Sequence, residues 1–160
     1  MRRQCLKSEP EVLTGQQVWQ LAIGLLSRRE HSSHELLDKL RQRGADDDLA
    51  QVTLERCQQE QYQSDQRFAE MLLRHCISKG QGLAVLRQLS RQHRLDQELL
   101  QQALDSAEPD WFELARSCAQ KKFGELAAGS DKERLKRMAF LQRRGFNSEQ
   151  IRYALQHSDS

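Results

Sequence analysis

The sequence lacks any apolar run long enough to cross a membrane, and it has only two prolines and four cysteines among 160 residues. It opens with the basic stretch MRRQCLK, as a signal peptide would, but the polar stretch SEPEVLTGQQ follows where an apolar segment would be required. No two cysteines have the C-x-x-C spacing of a zinc or redox site, and we expect most of them to pack as small apolar side chains: Cys5, Cys57, Cys76 and Cys118. The sequence therefore predicts a cytoplasmic protein without a membrane span.

Positive and negative charges are nearly balanced over the whole chain, with 25 Lys/Arg against 23 Asp/Glu. The balance is uneven along the chain, because residues 111–160 contain 10 Lys/Arg against 6 Asp/Glu while the earlier residues are slightly acidic. We therefore expect an anionic partner to be met mainly by the last third of the chain.

A repeated pattern around glycine is the strongest signal that the sequence contains. The stretch FLQRRGFNSEQI indicates a helix end, a glycine break and a capped helix start, and related stretches occur twice upstream, giving copies at residues 39–50, 95–104 and 140–151. A second apolar pattern, which forms one face of a helix, precedes each copy at residues 21–26, 68–73 and 114–119. Because glycines separate stretches of helical period and proline is rare, the whole chain is predicted to be helical.

The helix-start signals give each repeat three helices. Asn147 is expected to cap the last helix with Gln150 as its reciprocal partner, while Phe146 packs onto Ile151 as a hydrophobic staple. Two middle helices begin with the S-x-x-E pattern, formed by Ser32 with Glu35 and by Ser130 with Glu133.

The predicted fold is all-α, an elongated and curved array of three tandem three-helix repeats that resemble helix-turn-helix units. Residues 1–13 are predicted to form a flexible tail, followed by repeats at residues 14–62, 63–107 and 108–157. The side chains expected to be buried are Ala22, Leu26, Leu40, Leu54, Leu72, Leu104, Leu141 and Leu155.

The candidate catalytic and metal-binding patterns are weak. His31 and His34 could form a metal pair, but no third ligand lies nearby in sequence, and we expect a capping or surface role. His75 and Cys76 are adjacent on a predicted helix and point about 100° apart, which argues against a nucleophile with its base. The Gly-Gln-Gly sequence at residues 80–82 lacks the strand and the GK[S/T] of a phosphate loop, so we interpret it as a helix break with positive φ. These patterns predict no enzyme activity, no metal and no cofactor.

Basic residues are the remaining candidates for function. Each could belong to an ordinary solvated face, but basic helix ends on stacked repeats would align into a stripe that binds acidic protein or phosphate. Arg143 and Arg144 are expected to point outward beside the helix-ending Gly145, whereas Trp19 and Trp111 are expected to pack in the core rather than stack on bases. The candidate partner-binding residues are Arg28, Arg29, Arg74, Lys79, Arg87, Arg91, Lys121, Lys122, Arg143 and Arg144.

With these repeats in view, the sequence resembles the RecX family from about residue 17 to residue 155. The first repeat carries the family's pattern A-x-x-L-L-x-R-R-x-x-S-x-x-E-L-x-x-K-L-x-x-x-G at Ala22, Leu25, Leu26, Arg28, Arg29, Ser32, Glu35, Leu36, Lys39, Leu40 and Gly44. Later matches are Tyr62, Asp65, Arg67, Phe68 and Ala69, then Arg74 and the Gly-Gln-Gly turn, KFG at residues 122–124, and FLQRRGF at residues 140–146. The sequence departs from the pattern at Gln61 and Arg94, where the family has glycine, and at Leu83, where it has proline.

The resemblance implies a monomeric, non-catalytic regulator that lies in the helical groove of the filament formed by the RecA recombinase on DNA. Such a protein would inhibit filament extension, ATP hydrolysis and recombination, with a role in DNA repair and the SOS response. Whether the basic stripe also contacts single- or double-stranded DNA is left open by the resemblance. The alternative is a helix-turn-helix protein that acts directly on DNA. Against this alternative, the last helices of the repeats contain only Arg56 and Arg152 as arginines.

Overall fold

The computed structural model describes residues 11–124 and 129–156. These residues form nine α-helices and no strand, which confirms the all-α prediction. The helices are α1 (Gly15–Leu26), α2 (Ser33–Gln42), α3 (Asp47–Gln59), α4 (Asp65–Ser78), α5 (Leu83–Gln92), α6 (Gln97–Ala107), α7 (Trp111–Phe123), α8 (Asp131–Arg143) and α9 (Ser148–Gln156). Residues 1–10 of the predicted tail, with Cys5, and residue 157 lie outside the described residues.

None of the helices in the described ranges has both the length and the apolar character that crossing a membrane requires.

The chain divides into two compact units, Met1–Phe68 and Ala69–Ser160, so the division falls inside α4. The first turn of α4 belongs to the first unit because its side chains bind the loop that precedes α2 and the first residue of α2. The Asp65 carboxylate accepts hydrogen bonds from the Ser33 N–H and from the Ser33 hydroxyl, both at 2.8 Å. Arg67 Nε donates to Glu30 Oε1 at 3.0 Å. These bonds fix the start of α4 against the start of α2 and the loop before it.

Each compact unit has an apolar cluster built from residues spaced three or four apart on neighbouring helices. The cluster in the first unit contains Val18, Ala22, Leu36, Leu40, Ala45, Ala50, Leu54 and Cys57. The cluster in the second unit joins α7, α8 and α9 through Ala115, Ala119, Leu141, Phe146, Ile151 and Ala154.

Five of the eight side chains predicted to be buried are buried: Ala22, Leu40, Leu54, Leu72 and Leu141. The prediction was wrong for Leu26, Leu104 and Leu155, which are only half-buried. Each of these three leucines lies in the last turn of its helix, where fewer neighbouring side chains cover it.

The helix-start signals are confirmed. Asn147 Oδ1 accepts a hydrogen bond from the Gln150 N–H at 2.8 Å, and Gln150 Oε1 accepts one from the Asn147 N–H at 3.0 Å. Phe146 and Ile151 are both buried in the same cluster, as a hydrophobic staple requires. The reciprocal cap therefore sets where α9 begins and which way it leaves the turn.

The turn after α8 packs backbone against backbone on the start of α5. The Gly82 N–H donates to the Arg144 carbonyl at 2.6 Å, and the Ala84 N–H donates to the Gly145 carbonyl at 3.2 Å. A Cβ on Gly82 would lie 2.5 Å from the Gly145 oxygen, and a Cβ on Gly145 would lie 2.8 Å from the Val85 nitrogen. Since α5 has no side-chain cap, these carbonyls supply acceptors for its first N–H groups.

The two glycines before α5 therefore have different roles. Gly80 has a φ of +67°, as the sequence predicts for a helix break. Gly82 has a φ of −85°, so the prediction of positive φ was wrong there. Glycine is needed at position 82 because no side chain fits against the turn after α8.

Three non-glycine residues in the described ranges adopt the left-handed conformation at helix ends: Gln61 with a φ of 61°, Arg94 with a φ of 50° and Glu108 with a φ of 44°. Gln61 and Arg94 are the two positions where the family pattern has glycine. Because Cβ makes this conformation costly by about 1–2 kcal/mol, the loops keep their shape at the expense of stability.

Replacing Gly145 by alanine should destabilise the second unit more than replacing Gly44 by alanine destabilises the first. Both glycines have positive φ, 91° and 99°, so each new Cβ costs about 1–2 kcal/mol of backbone strain. Only at Gly145 does the Cβ also meet neighbouring backbone, which adds about 1–3 kcal/mol. Urea denaturation followed by tryptophan fluorescence measures both losses. Trp19 reports the first unit in a chain with Trp111→Phe, and Trp111 reports the second unit in a chain with Trp19→Phe. Equal losses would contradict the backbone contact.

Arg94→Gly should stabilise the second unit by up to about 1 kcal/mol, because glycine adopts a positive φ without strain. Arg87→Gly removes the same charge from the interior of α5 and should destabilise by about 1 kcal/mol. Trp111 fluorescence during urea denaturation measures both changes. A loss of stability in Arg94→Gly would show that the arginine side chain contributes more than the strain costs.

Candidate partner-binding site

The ten basic side chains proposed from the sequence are distributed over both compact units, and nine of them are exposed. Arg28 and Arg29 follow α1 in the first unit, whereas the other eight lie in the second unit. Arg144 is the exception to exposure, since it is half-buried.

A cavity of about 240 Å³ in the second unit brings four of these side chains together. Lys79 follows α4, Lys121 and Lys122 lie in the last turn of α7, and Arg144 caps the end of α8. Phe140 of α8 also lines this cavity. We call it the basic pocket. The other predicted residues of the second unit are not among its lining residues: Arg74, Arg87, Arg91 and Arg143.

Arg144 is held in place by two contacts. Its Nη1 donates to the Lys79 carbonyl at 2.8 Å, and its guanidinium carbon lies 5.2 Å from the centre of the Phe140 ring. The expectation that Arg143 and Arg144 both point outward was therefore wrong for Arg144, while Arg143 is exposed. The reason is the tight turn at Gly145, which directs residue 144 over the loop between α4 and α5.

One aromatic side chain, Phe140, forms part of the wall of the basic pocket. Lys122 Nζ lies 5.7 Å from the centre of the Phe140 ring, within the range of a cation–π contact. Phe140 meets Phe123 edge to face, with ring centres 5.3 Å apart. The sequence analysis missed Phe140, although its position four residues before Arg144 on a helix could have identified it as a neighbour.

The charge of the basic pocket is uncompensated within the described residues. No carboxylate lines it, and the described ion pairs of the third repeat join Arg116 to Glu113 and Arg137 to Glu133 instead. Lysines and an arginine around an aromatic wall bind carboxylate or phosphate, with arginine able to form paired hydrogen bonds to either. The described lining contains no histidine or carboxylate, and its cationic groups suit the binding of an anion.

Cys118 also lines the basic pocket and was not predicted to do so. Its Sγ lies 3.5 Å from the Gly80 carbonyl oxygen. Burial raises the pKa of the Cys118 thiol, and the positive charges of Arg144 and Lys121 oppose that shift. We therefore expect the thiol to be protonated and to pack as a small side chain.

In the first unit, Arg29 is engaged in structural contacts. Its two terminal nitrogens donate to the Glu35 carboxylate at 3.1 Å and 2.5 Å, which raises the pKa of Arg29. Glu35 thus pairs with Arg29, and it is the Ser32 hydroxyl that caps α2 by accepting from the Glu35 N–H at 3.1 Å. Arg28 is exposed beside this pair. A partner would therefore meet a more available charge at Arg28 than at Arg29.

His31 is buried, with 2% of its surface exposed, so of the expected capping or surface role the surface role was wrong for this residue. Its Nδ1 lies 3.0 Å from the Arg29 carbonyl oxygen, and its own carbonyl accepts a hydrogen bond from Gln63 at 3.1 Å. His34 instead pairs with Asp38 at 3.2 Å. Within residues 11–124 and 129–156, no three potential metal ligands come together.

Trp19 packs against the apolar cluster of the first unit, which confirms the core interpretation for this residue. The Arg56 guanidinium covers its ring at 3.7 Å, and Tyr62 meets its edge at 6.0 Å. The face of the indole is therefore occupied by a side chain of the protein. Trp111 is half-buried at the start of α7.

Three family models match successive parts of the chain. They describe the first RecX three-helix domain at residues 19–57, the second at residues 64–104 and the third at residues 108–155. The matched residues include the whole basic pocket and the turn at Gly145.

Curated relatives extend the similarity over most of the chain. The regulatory protein RecX of Vibrio campbellii is 38% identical over 138 residues, which cover 86% of this chain and 89% of the relative. The regulatory protein RecX of Stenotrophomonas maltophilia strain R551-3 is 41% identical, covering 86% of this chain and 85% of the relative. The crystal structure of RecX from Lactobacillus salivarius has the same fold, with a TM-score of 0.75 at 19% identity over 91% of this chain and 96% of that chain.

Lowering the pH below about 6.5 should destabilise the first unit through His31. Burial lowers the pKa of His31 in the folded chain, so below the ordinary value the unfolded chain binds a proton that the folded chain does not. The hydrogen bond to the Arg29 carbonyl and the charge of Glu35 favour protonation, while the charges of Arg29 and Lys39 oppose it. The loss cannot exceed about 1.4 kcal/mol per pH unit for one group.

Urea denaturation at pH 7.5 and pH 5.5, followed by Trp19 fluorescence in a Trp111→Phe background, measures this dependence. His31→Gln should reduce the difference between the two pH values, whereas the control His34→Gln should not. The same pH dependence in His31→Gln and in the unsubstituted chain would assign the effect to other groups.

Proposed function

The chain belongs to the RecX family of regulatory proteins, and from this membership we propose that it binds the filament of the RecA recombinase on DNA and inhibits it. Filament extension, ATP hydrolysis and recombination are the activities that binding would lower. We also propose that the protein acts in the cytoplasm, where such a filament forms.

The basic pocket is the observation that supports this proposal best. Lys79, Lys121, Lys122 and Arg144 converge there without a carboxylate among the described lining residues. A filament of protein and DNA presents both acidic side chains and phosphates, so either could neutralise these charges. Because Arg144 is already held by the Lys79 carbonyl and the Phe140 ring, binding would cost little side-chain entropy there.

Inhibition by binding needs no chemistry from this chain. The basic pocket has cationic, hydroxyl, thiol and apolar groups, and no histidine or carboxylate among its described lining residues. We therefore propose that the protein acts by occupying a surface of the filament that extension or strand exchange requires.

The charge of the third helices argues against the alternative of a helix-turn-helix DNA reader. A reading helix would present its first residues to the major groove, yet Asp47 and Asp48 lie in the first turn of α3, Glu98 in that of α6, and Glu149 in that of α9. Carboxylates at these positions would repel phosphates. Arg56 of α3 is paired with Glu60 and stacked on Trp19, so it is already occupied.

Lys121→Glu combined with Lys122→Glu should weaken inhibition of ATP hydrolysis by RecA on single-stranded DNA. We expect the concentration for half inhibition to rise at least ~10-fold, which corresponds to about 1.4 kcal/mol, and to rise further at low salt because screening is least there. The melting temperature should change little because both lysines are exposed. The control Lys132→Glu with Lys136→Glu makes the same charge change on exposed positions of α8 outside the pocket.

Equal inhibition by the pocket variant, the control variant and the unsubstituted chain would refute a role for the basic pocket. A triple variant, Arg74→Glu, Arg87→Glu and Arg91→Glu, separately tests whether the predicted stripe extends beyond the pocket. Gel-shift assays with DNA alone, without RecA, at two salt concentrations distinguish direct DNA binding from binding to the filament. The affinity of direct DNA binding falls steeply with salt.

A further inference from the structure

A second concave surface lies between α8 and α9 of the third repeat, with a volume of about 430 Å³. We call it the α8–α9 groove. Phe146 and Ile151 are its most buried lining residues, Met138 of α8 and Leu155 of α9 contribute further apolar surface, and none of its lining residues belongs to the basic pocket. The groove is therefore a separate surface, and its interpretation does not depend on the proposed role of the basic pocket.

Large apolar side chains are exposed at the groove. Met138, which lines the groove, is 40% exposed. Leu135, one turn earlier on α8 and outside the lining, is 65% exposed. Phe146 and Ile151 extend the apolar lining inward to the cluster that joins α7, α8 and α9. Exposed apolar surface continuous with a buried cluster is typical of a protein-docking site.

Positive charge borders this apolar surface. Arg134 of α8 and Arg152 of α9 both line the groove and are exposed. No ion pair with a carboxylate is found for either arginine in the described part of the chain. A ligand that fits would bury apolar side chains in the centre and place carboxylates at the edge.

We propose that the α8–α9 groove docks a short acidic amphipathic helix of a partner protein. A groove between two packed helices suits a third helix whose apolar face enters and whose acidic residues meet Arg134 and Arg152. Nucleic acid fits less well, because the apolar lining is mostly aliphatic and its one aromatic residue, Phe146, is only 4% exposed and cannot stack on a base. The first ten residues of this chain, MRRQCLKSEP, have the wrong charge for the same site.

The proposal is tested with a fluorescent peptide in which pairs of glutamates alternate with pairs of leucines. Its fluorescence anisotropy is measured as the full chain is titrated in, which gives the dissociation constant. A matched peptide with lysine in place of glutamate should bind at least ~10-fold more weakly. Met138→Ser should weaken binding of the glutamate peptide by about 10-fold, since it removes an exposed apolar contact. The pocket variant Lys121→Glu with Lys122→Glu should bind that peptide as the unsubstituted chain does.

A charge exchange makes the test specific. Arg134→Glu combined with Arg152→Glu should reverse the preference, so that the lysine peptide binds better than the glutamate peptide. The control Lys132→Glu with Lys136→Glu should keep the original preference, and circular dichroism should show the same helix content in all variants.

Three results would overturn the proposal. The groove does not hold the glutamate peptide if the peptide fails to bind the chain. The same conclusion follows if neither the Met138 substitution nor the arginine substitutions change its affinity. Complete displacement of the peptide by a single-stranded DNA oligonucleotide, with loss of oligonucleotide binding in the arginine variant, would assign the groove to phosphate. A molecular mass that rises with concentration and returns to the monomer value in Met138→Ser would assign it to a second copy of this chain.

Discussion

The second compact unit depends on one close approach between two backbones, that of Gly82 and Gly145. Most contacts between helices in this chain are made by side chains, which can be exchanged for others of similar size. Here the peptide groups themselves meet, with hydrogen bonds from Gly82 and Ala84 to the turn after α8 and no room for a Cβ on either glycine. The first N–H groups of α5 find their acceptors in this turn. The same hydrogen bonds therefore cap α5 of the second repeat and anchor the turn after α8 of the third repeat to it.

Both candidate surfaces of the second unit follow from that contact. Residue 144 points to one side of the turn, where Arg144 binds the Lys79 carbonyl and enters the basic pocket. Residue 146 points to the other side, where Phe146 is buried beneath the α8–α9 groove. Gly145 lies between them with its positive φ. Three consecutive residues thus supply the charge of one surface, the joint between repeats and the apolar floor of the other surface.

The sequence was sufficient where the determinant is local. The reciprocal cap of Asn147 and Gln150 joins residues three apart, so the pattern alone predicts it. It was insufficient where distant segments meet, because nothing near Arg144 in sequence indicates the Lys79 carbonyl, 65 residues away. His31 was misjudged for the same reason, since its neighbours in sequence are polar and its contact with Gln63 joins residues 32 positions apart.

The turns at Gly44 and Gly145 share a sequence pattern but differ in what surrounds them. Beside Gly44 the nearest atom to a Cβ would be a leucine methyl group 4.0 Å away, so a side chain at this position would not meet neighbouring backbone. An insertion after α8 would shift Arg144 or Phe146 out of register and break the hydrogen bonds that join this turn to α5. The third turn therefore ties the length of the chain between α8 and α9 to the position of α5.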